Sequence, residues 1–418
     1  ELWADYAYAE RFIAVPGDQP IDGEAGYPEG TVLARTVYLD QVRGEPSTRR
    51  RIETQILLRD RGNWRPYTYV WNAEQTDATL AESVGADLTF SIKDPNSLDG
   101  SIKHAYRVPS RAECSICHTD KLGTLLGVSP AQLNHQYNYG AGAENQIAAW
   151  KRLGIYSNPI PEKELAKRMV HPFDSSASLD DRARSYLHAN CGHCHRPGGG
   201  GTAMINFDYR LEREATRLVD IKPAQGAFGL KGSRIVAPGD PFASVLFYRM
   251  TKLGRGHMPH IGSAITDRRG LELVYDWIAH LSPESSEAVR GGVGSESSAS
   301  VSAAFRGQLK STLQAFHEAA SLPASSCTKV LRYLFSSTRS ALLVSHVLSD
   351  ESNEVPSEVR EELVAIGTEH LDVNIRDLFE QFVPPEKRTQ RLGERIEPHA
   401  ILSLEGDVER GRRAFFYG

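Results

Sequence analysis

Cysteine and methionine are scarce in this chain of 418 residues, which contains five cysteines and four methionines. So few cysteines exclude the disulfide framework of small secreted modules, which distribute paired cysteines through loop-rich folds. No apolar run approaches the roughly 18 residues that a membrane-spanning helix needs. A formal net charge of −5 and a pI near 6.3 give no indication of nucleic acid or an anionic membrane surface as a partner.

Two short stretches hold nearly all of the cysteine. The stretches "ECSICHTD" and "NCGHCHRPGGGG" each contain a Cys-x-x-Cys-His unit. In c-type attachment, two thiols at this spacing add to the vinyl groups of a haem, and the histidine that follows binds the iron. The sequence therefore predicts two covalently bound haem c groups. The predicted cofactor-binding residues are Cys114, Cys117 and His118 in the first unit and Cys191, Cys194 and His195 in the second.

Zinc binding and dithiol redox chemistry are the alternatives for such units. Zinc ribbons bring the second Cys-x-x-Cys within roughly 15–20 residues of the first, whereas these units begin at positions 114 and 191. Each unit could still pair with histidines elsewhere in the chain. A thioredoxin-like dithiol has no need of the following histidine and lies in a βαβ pattern, which neither flank shows. The spacing and the histidine together favour haem.

The loop "GRGHMPHIG" is expected to supply the sixth ligand of the second iron. Methionine in this position raises the reduction potential of an electron-transfer haem. Met258 lies before a proline in this glycine-flanked loop, with His257 and His260 beside it as alternatives. Met250 and Met204 are predicted to pack in the interior. Met258 is therefore the expected metal ligand opposite the histidine of the second unit.

The first haem has no comparable Met-Pro loop. The unit itself supplies His118 as a metal ligand, and spacing favours Met169 in "AKRMVHPFD" or His135 as the opposite ligand. His171 and His104 are further candidates. A vacant sixth position also stays open, and it would allow the iron to bind small ligands or peroxide.

Two helices are expected to flank the second unit. The stretch "SLDDRARSYLHAN" carries one apolar stripe and is predicted to begin with Ser178 as its N-cap. The stretch "TDRRGLELVYDWIAHL" is predicted as a second helix capped by Thr266. The order of helix, attachment unit, methionine loop and helix predicts a class I-like cytochrome c module with the haem held between the helices.

Composition and periodicity divide the chain into several domains, as its length predicts. The predicted fold class is multi-domain α+β, because strand-like stretches such as "TVLARTVYLD" and "WRPYTYVWN" precede mainly helical ones. The predicted domains are a β-rich domain at 1–105, haem c modules at 106–175 and 176–283, a Ser/Gly-rich linker at 284–300, a helical domain at 301–405 and the start of a truncated third cytochrome module at 406–418.

These stretches resemble a family of bacterial multi-domain c-type cytochromes that is best represented in planctomycetes. The matching segments cover nearly the whole chain and include "PSRAECSICHT", "NQIAAWKRLGI", "RARSYLHANCGHCHRPGGGG" and "PGDPFASVLFYRMTKLGRGHMPHIGS". The resemblance implies the same haem residues in both units and Met258, and leaves the first sixth ligand open. It implies electron transfer outside the cytoplasm, with partners that include quinoprotein dehydrogenases and further cytochrome domains. The family pattern begins upstream of Glu1, so the chain is expected to be truncated at both ends.

The predicted function is electron transfer by a diheme c-type cytochrome in the periplasm or cell envelope, because bacteria assemble such proteins outside the cytoplasm. The expected partner is a redox protein, with no nucleic acid and no transmembrane segment. A diheme peroxidase-like enzyme with one open iron site is the alternative. A scaffold whose units hold zinc is a third possibility, which leaves the Met-Pro loop unexplained. The sequence favours the carrier, because no acid–base pair for cleaving an O–O bond is evident.

Overall fold

A computed structural model describes most of the chain and divides it into two compact regions, Glu1–Val383 and Pro384–Gly418. The described residues are 2–417 without 18, 23–25, 95–99, 119–124, 126, 141, 157–159, 161, 166–167, 283–297, 351, 385–386, 389–401 and 404. The architecture mixes strands and helices, with an antiparallel sheet near the N-terminus and helices after it. This confirms the predicted succession of a β-rich and a helical region.

The strands lie mainly in the N-terminal quarter of the chain. They are Tyr8–Ala14 (β1), Val32–Asp40 (β2), Arg49–Asp60 (β3), Asn63–Trp71 (β4), Ala78–Leu80 (β5), Ala86–Lys93 (β6), Ser101–Val108 (β7), Gln136–Asn138 (β8) and Ala143–Asn145 (β9). Strands β1 to β5 form one antiparallel sheet in sequence order, while β6–β7 and β8–β9 are separate hairpins. Strand β7 leads directly into the first Cys-x-x-Cys-His unit.

The hairpin between β3 and β4 shows how local sequence sets the register of the sheet. Asp60 pairs with Asn63 across a two-residue turn, in which Arg61 and Gly62 have φ angles of 52° and 75°. Two residues with positive φ are what a type I′ turn requires, and this turn matches the right-handed twist of the strands.

Helices dominate after residue 110. They are Arg111–Cys117 (α1), Pro130–Leu133 (α2), Gln146–Arg152 (α3), Glu162–Leu165 (α4), Leu179–Cys191 (α5), Val245–Thr251 (α6), Arg268–His280 (α7), Ser298–Ala320 (α8), Ala324–Tyr333 (α9), Thr338–Ser349 (α10), Ser357–Thr368 (α11), Val373–Phe379 (α12) and Val408–Tyr417 (α13). Among the described residues, no helix combines the length and the apolar character that a membrane crossing needs.

The two predicted N-caps have different outcomes. The Ser178 side chain accepts a hydrogen bond from the backbone N–H of Asp181, so the predicted start of α5 is confirmed. The predicted cap at Thr266 is wrong by one residue, because Asp267 accepts from the N–H of Gly270 and α7 begins at Arg268. Both residue types cap well, and the Thr266 hydroxyl instead donates to Gln381.

One hydrophobic cluster, called here the main core, joins the helices around the second unit to the C-terminal helices. It runs from Ala183 on α5 to Phe379 on α12 and includes buried side chains of α6 to α11. A buried ion pair between Lys252 and Asp377, 2.7 Å apart, crosses the same contact. The predicted segment 176–283 and the helices of 301–405 as far as Phe379 therefore share one interior. Most of the predicted linker at 284–300 lies outside the described residues.

Helices α5 and α7 pack against each other at a position that only glycine fits. A Cβ atom at Gly270 would overlap the side chain of Tyr186, whose hydroxyl donates to Asp267 across a distance of 3.0 Å. On the same two helices, the Trp277 indole N–H donates to Asp180 at 2.8 Å. The helix before the second unit is therefore fixed by a close contact and two buried hydrogen bonds.

Replacing Gly270 by Ala is expected to lower the free energy of unfolding by about 1–3 kcal/mol, because the added methyl forces apart a close-packed crossing. Urea unfolding followed by circular dichroism measures this change. The matched control is Gly307→Ala in α8, where a Cβ meets no atom within 4 Å. That change is expected to stabilise the helix by up to about 1 kcal/mol. A Gly270→Ala protein as stable as the wild type would refute the proposed packing.

Candidate functional site

The first Cys-x-x-Cys-His unit is carried by the short helix α1. A capping box starts this helix: the Ser110 hydroxyl accepts from the Glu113 N–H at 3.1 Å, and the Glu113 carboxylate accepts from the Ser110 N–H at 2.6 Å. The N–H of His118 donates to the Cys114 carbonyl at 3.0 Å, so the histidine directly follows the last helical turn. Burial raises the pKa of Cys114 to about 11 and lowers the pKa of His118 to about 4.

The second unit begins where α5 ends. The N–H of His195 donates to the Cys191 carbonyl at 2.9 Å, which is the same four-residue closure as in the first unit. Cys191 is buried in the main core, and burial raises its pKa to about 12. In both units, the first cysteine and the histidine thus lie one helical turn apart on a continuous backbone turn.

The imidazole of His195 is held by its surroundings along one edge. Its Nδ1 atom is buried and has no hydrogen-bond partner among the described residues. A Cβ atom at Gly201 would lie 2.6 Å from this Nδ1, so the glycine is needed for the ring to fit. The ring also makes an edge contact with Phe207 at 5.7 Å between centroids. With the Nδ1 edge covered, Nε2 on the opposite edge is the nitrogen available to coordinate a metal. A haem c would use donors of this kind, two thiols and one imidazole.

The structure brings the two units into contact with each other, which the sequence did not predict. One ligand atom each of Cys117, His193 and Cys194 lies within 4.8 Å of the other two. Beside them, a Cβ at Gly200 would lie 3.1 Å from the side chain of Ile116. These residues come from separate parts of the chain, so the spacing of cysteines in the sequence could not predict that they meet.

The contact between the two Cys-x-x-Cys-His units shifts the pKa values of Cys194 and Cys117 in opposite directions. Hydrogen bonds from Cys117 and then from His193 lower the pKa of Cys194, which favours the thiolate form of this sulfur. The same hydrogen bond to Cys194, together with burial, raises the pKa of Cys117. A thiolate is the reactive form of cysteine both toward electrophiles and toward metals.

Met258 lies in a loop that is tied to helix α6. Its N–H donates to the Arg249 carbonyl at 3.0 Å, and the Arg249 guanidinium donates to the Gly256 carbonyl at 2.8 Å. Burial lowers the pKa of His195 and the positive charge of Arg249 adds to this, which indicates that α6 lies near the second unit. Met258 is half-buried, and its role as a ligand stays a prediction.

The two histidines beside Met258 and the methionines predicted to be interior lie in different surroundings. Both ring nitrogens of His257 are engaged, Nδ1 with the Lys252 carbonyl at 2.7 Å and Nε2 with the Ser263 hydroxyl at 3.2 Å, so this ring does not offer a free donor. His260 is exposed. Met250 is buried as predicted, whereas the prediction that Met204 packs in the interior is wrong, since this side chain is 80% exposed.

The candidates for the sixth ligand of the first haem lie in different surroundings. Met169 is half-buried, and its N–H donates to the Ala131 carbonyl on α2 at 2.9 Å. His104 on β7 is buried, its Nε2 has no hydrogen-bond partner among the described residues, and burial lowers its pKa to about 4. His135 and His171 are both exposed. Met169 and His104 are therefore the two sheltered candidates, and the ligand itself stays a prediction.

The N-terminal segment fastens the second unit to the loop after Met258. The backbone N–H of Trp3 donates to Asn190, the residue before Cys191, at 2.6 Å. The carboxylate of Asp5 accepts from the N–H groups of Ala264 and Ile265 at 2.7 and 3.3 Å. The sequence indicated only a β-rich region here, because these long-range hydrogen bonds leave no local pattern.

Comparisons with protein-family models, with curated proteins and with solved structures give no match for this chain. The resemblance to bacterial multi-domain cytochromes therefore stays a prediction. What can be argued about function depends on the residues and geometry described above.

The buried carboxylate of Asp5 gives a stability that depends on pH. Burial raises its pKa from 3.8 to about 6, against the opposing effect of its hydrogen bonds. A carboxyl whose folded pKa is raised favours folding while it is protonated. The free energy of unfolding is therefore expected to fall by up to about 3 kcal/mol as the pH rises from about 4 to about 7.

Comparison of the wild type with Asp5→Asn isolates this contribution. Urea unfolding at several pH values gives the free energy of unfolding of each protein as a function of pH. This free energy is expected to fall less steeply with rising pH in the variant than in the wild type. Burial also raises the pKa of Glu53 to about 7, but Glu53 is present in both proteins, so only the difference between the curves is attributed to Asp5. Parallel curves would contradict the buried position of this carboxylate.

Proposed function

We propose that this protein is a diheme c-type cytochrome that transfers electrons in the periplasm or cell envelope. The observation that carries the proposal is the repeated backbone turn of the two Cys-x-x-Cys-His units. In each unit, the histidine N–H donates to the carbonyl of the first cysteine, at 3.0 Å in the first unit and 2.9 Å in the second. Two cysteines and one histidine thus lie on the same kind of backbone turn twice, in a chain with only one other cysteine.

Each residue of the two units has a distinct role in this proposal. Cys114, Cys117, Cys191 and Cys194 would hold the two haems through thioether bonds, and His118 and His195 would each bind one iron. Met258 would bind the second iron from the opposite side. Met169 is the proposed counterpart at the first iron, with His104 as the other sheltered donor. When bound, each haem supplies an iron centre that takes up and releases one electron, with a potential set by its axial ligands.

The protein environment would position and protect these ligands. Gly201 and Phe207 pack against the ring of His195, so that Nε2, on the edge opposite Gly201, keeps one direction. The hydrogen bond from Trp3 to Asn190 fixes the backbone just before the unit. Because Cys117 and Cys194 are neighbours, the two attachment points lie side by side, and this favours transfer between the two groups.

The partner is proposed to be another redox protein, either a quinoprotein dehydrogenase or a further cytochrome domain. The peroxidase-like alternative needs an open first iron, and no described contact favours it.

Intact mass measurement of the protein from a host that attaches haem c is expected to show two haem groups per chain. The double variant Cys114→Ser/Cys117→Ser is expected to keep only the second group, and Cys191→Ser/Cys194→Ser only the first. Cys327→Ser is the matched control, because this partly buried cysteine lies against the main core outside both units. It is expected to retain both groups.

The reduced-minus-oxidised spectrum separates the proposed carrier from its alternatives. Low-spin c-type bands from both sites are expected for a carrier. A high-spin component that responds to peroxide would support the enzyme instead. A protein with the mass of the bare chain would refute the proposal.

Replacing Met258 by Leu is expected to lower the reduction potential of one of the two haems, because a thioether ligand raises the potential. Potentiometric titration with optical detection measures both potentials in one experiment. Met204→Leu is the control, because the Met204 side chain is 80% exposed. This variant is expected to leave both reduction potentials unchanged. Equal potentials in the Met258 variant and the wild type would exclude Met258 as a ligand.

A further inference from the structure

The cluster formed by Cys117, His193 and Cys194 draws on both units and is distinct from either attachment motif. Its three ligand atoms lie within 4.8 Å of one another, and all three residues are half-buried. Two belong to the second unit and one to the first. His193 occupies one of the variable positions between the cysteines, so haem attachment gives it no role.

The chemistry and spacing of the cluster match zinc. Thiolate and imidazole are the ligands that zinc prefers in proteins, in tetrahedral geometry. Zn–S bonds of about 2.3 Å and Zn–N bonds of about 2.0 Å place ligand atoms about 3.5–3.8 Å apart around a tetrahedral ion. An upper spacing of 4.8 Å therefore needs side-chain movements of about 1 Å, which rotamer adjustments at half-buried positions supply.

Two other residues of the second unit are held in surroundings of their own. Cys191 is buried in the main core. The ring of His195 packs against Gly201 and Phe207. A zinc ion held within the second unit would have to use these residues, whereas an ion held between the units uses groups that already converge. Three protein ligands leave the fourth position to water.

We propose that, in the chain that has not yet received haem, Cys117, His193 and Cys194 bind one Zn²⁺ ion between the two units. The ion binds the two cysteines as thiolates, and each thiol proton that they still carry is released to solvent. The site goes beyond the proposed function and does not require it. Zinc and haem exclude each other here, because a sulfur committed to a thioether bond can no longer act as a thiolate ligand.

Titration of the reduced, haem-free full chain with Co²⁺ tests the site directly. One Co²⁺ per chain is expected, with a thiolate-to-cobalt charge-transfer band that Zn²⁺ abolishes. Cys117→Ser, Cys194→Ser and His193→Ala are each expected to weaken binding at least tenfold. Cys114→Ser, Cys327→Ser and His195→Ala are the matched controls, and they are expected to bind Co²⁺ as the wild type does.

Any of three results would overturn this inference. Equal loss of Co²⁺ binding in Cys114→Ser and Cys117→Ser would place the metal within the first unit. Unchanged affinity in His193→Ala, or two ions per chain, would likewise exclude a single site between the units. Circular dichroism of each variant verifies that its fold is retained.

A second measurement needs no folded haem-free chain. In a host that attaches haem c, added zinc is expected to lower the fraction of chains that carry haem, as counted by intact mass. His193→Ala leaves both attachment motifs intact and is expected to keep its haem under the same conditions. Equal zinc sensitivity of the wild type and this variant would overturn the inference, while normal haem content would still support the proposed function. Conversely, a chain that binds one Co²⁺ through these three residues but never acquires haem would uphold the zinc site and refute the cytochrome.

Discussion

The contact between Cys117 and Cys194 is the interaction on which the site depends. Each cysteine belongs to a short, separately supported turn: α1 begins with a capping box, and the turn after α5 is anchored by Cys191 in the main core. Neither turn could bring two thiols and an imidazole together across the units by itself. The cluster with His193 therefore depends on how the two turns are packed against each other.

The surroundings of the second unit are held by buried polar groups from distant parts of the chain. Asp5 accepts backbone hydrogen bonds from the segment after the methionine loop, and Lys252 pairs with Asp377 at 2.7 Å where the C-terminal helices pack. Such groups are costly to bury and strongly destabilising when one partner is lost. Their presence indicates that the segments on both sides of Met258 are fastened, one to the N-terminal segment and the other to the C-terminal helices.

Local features of the fold were accessible from the sequence, and contacts between distant segments were not. The start of α5 at Ser178 and the N-terminal strands follow from capping chemistry and from side-chain alternation, which act over a few residues. The misplaced cap of α7 shows the limit of this reasoning, because Thr266 and Asp267 are both good caps and the contact of Thr266 with Gln381 decides between them. The strand-like stretch "GTAMINFD" predicts an interior position for Met204, but the folded chain exposes this side chain to solvent.

The sequence by itself determined the chemistry available to this protein: two thiols and an imidazole at a fixed spacing, twice, in a chain with few other cysteines. That spacing sets the backbone turn of each unit, since one four-residue hydrogen bond closes it. Only the tertiary structure decided that the two units meet, that Gly201 packs against the ring of His195, that Trp3 reaches the second unit and that Asp5 binds the segment after the methionine loop. The physical reason is that such contacts arise from packing whole elements together, and the energies that select one packing are spread over the main core instead of residing in any short stretch of sequence.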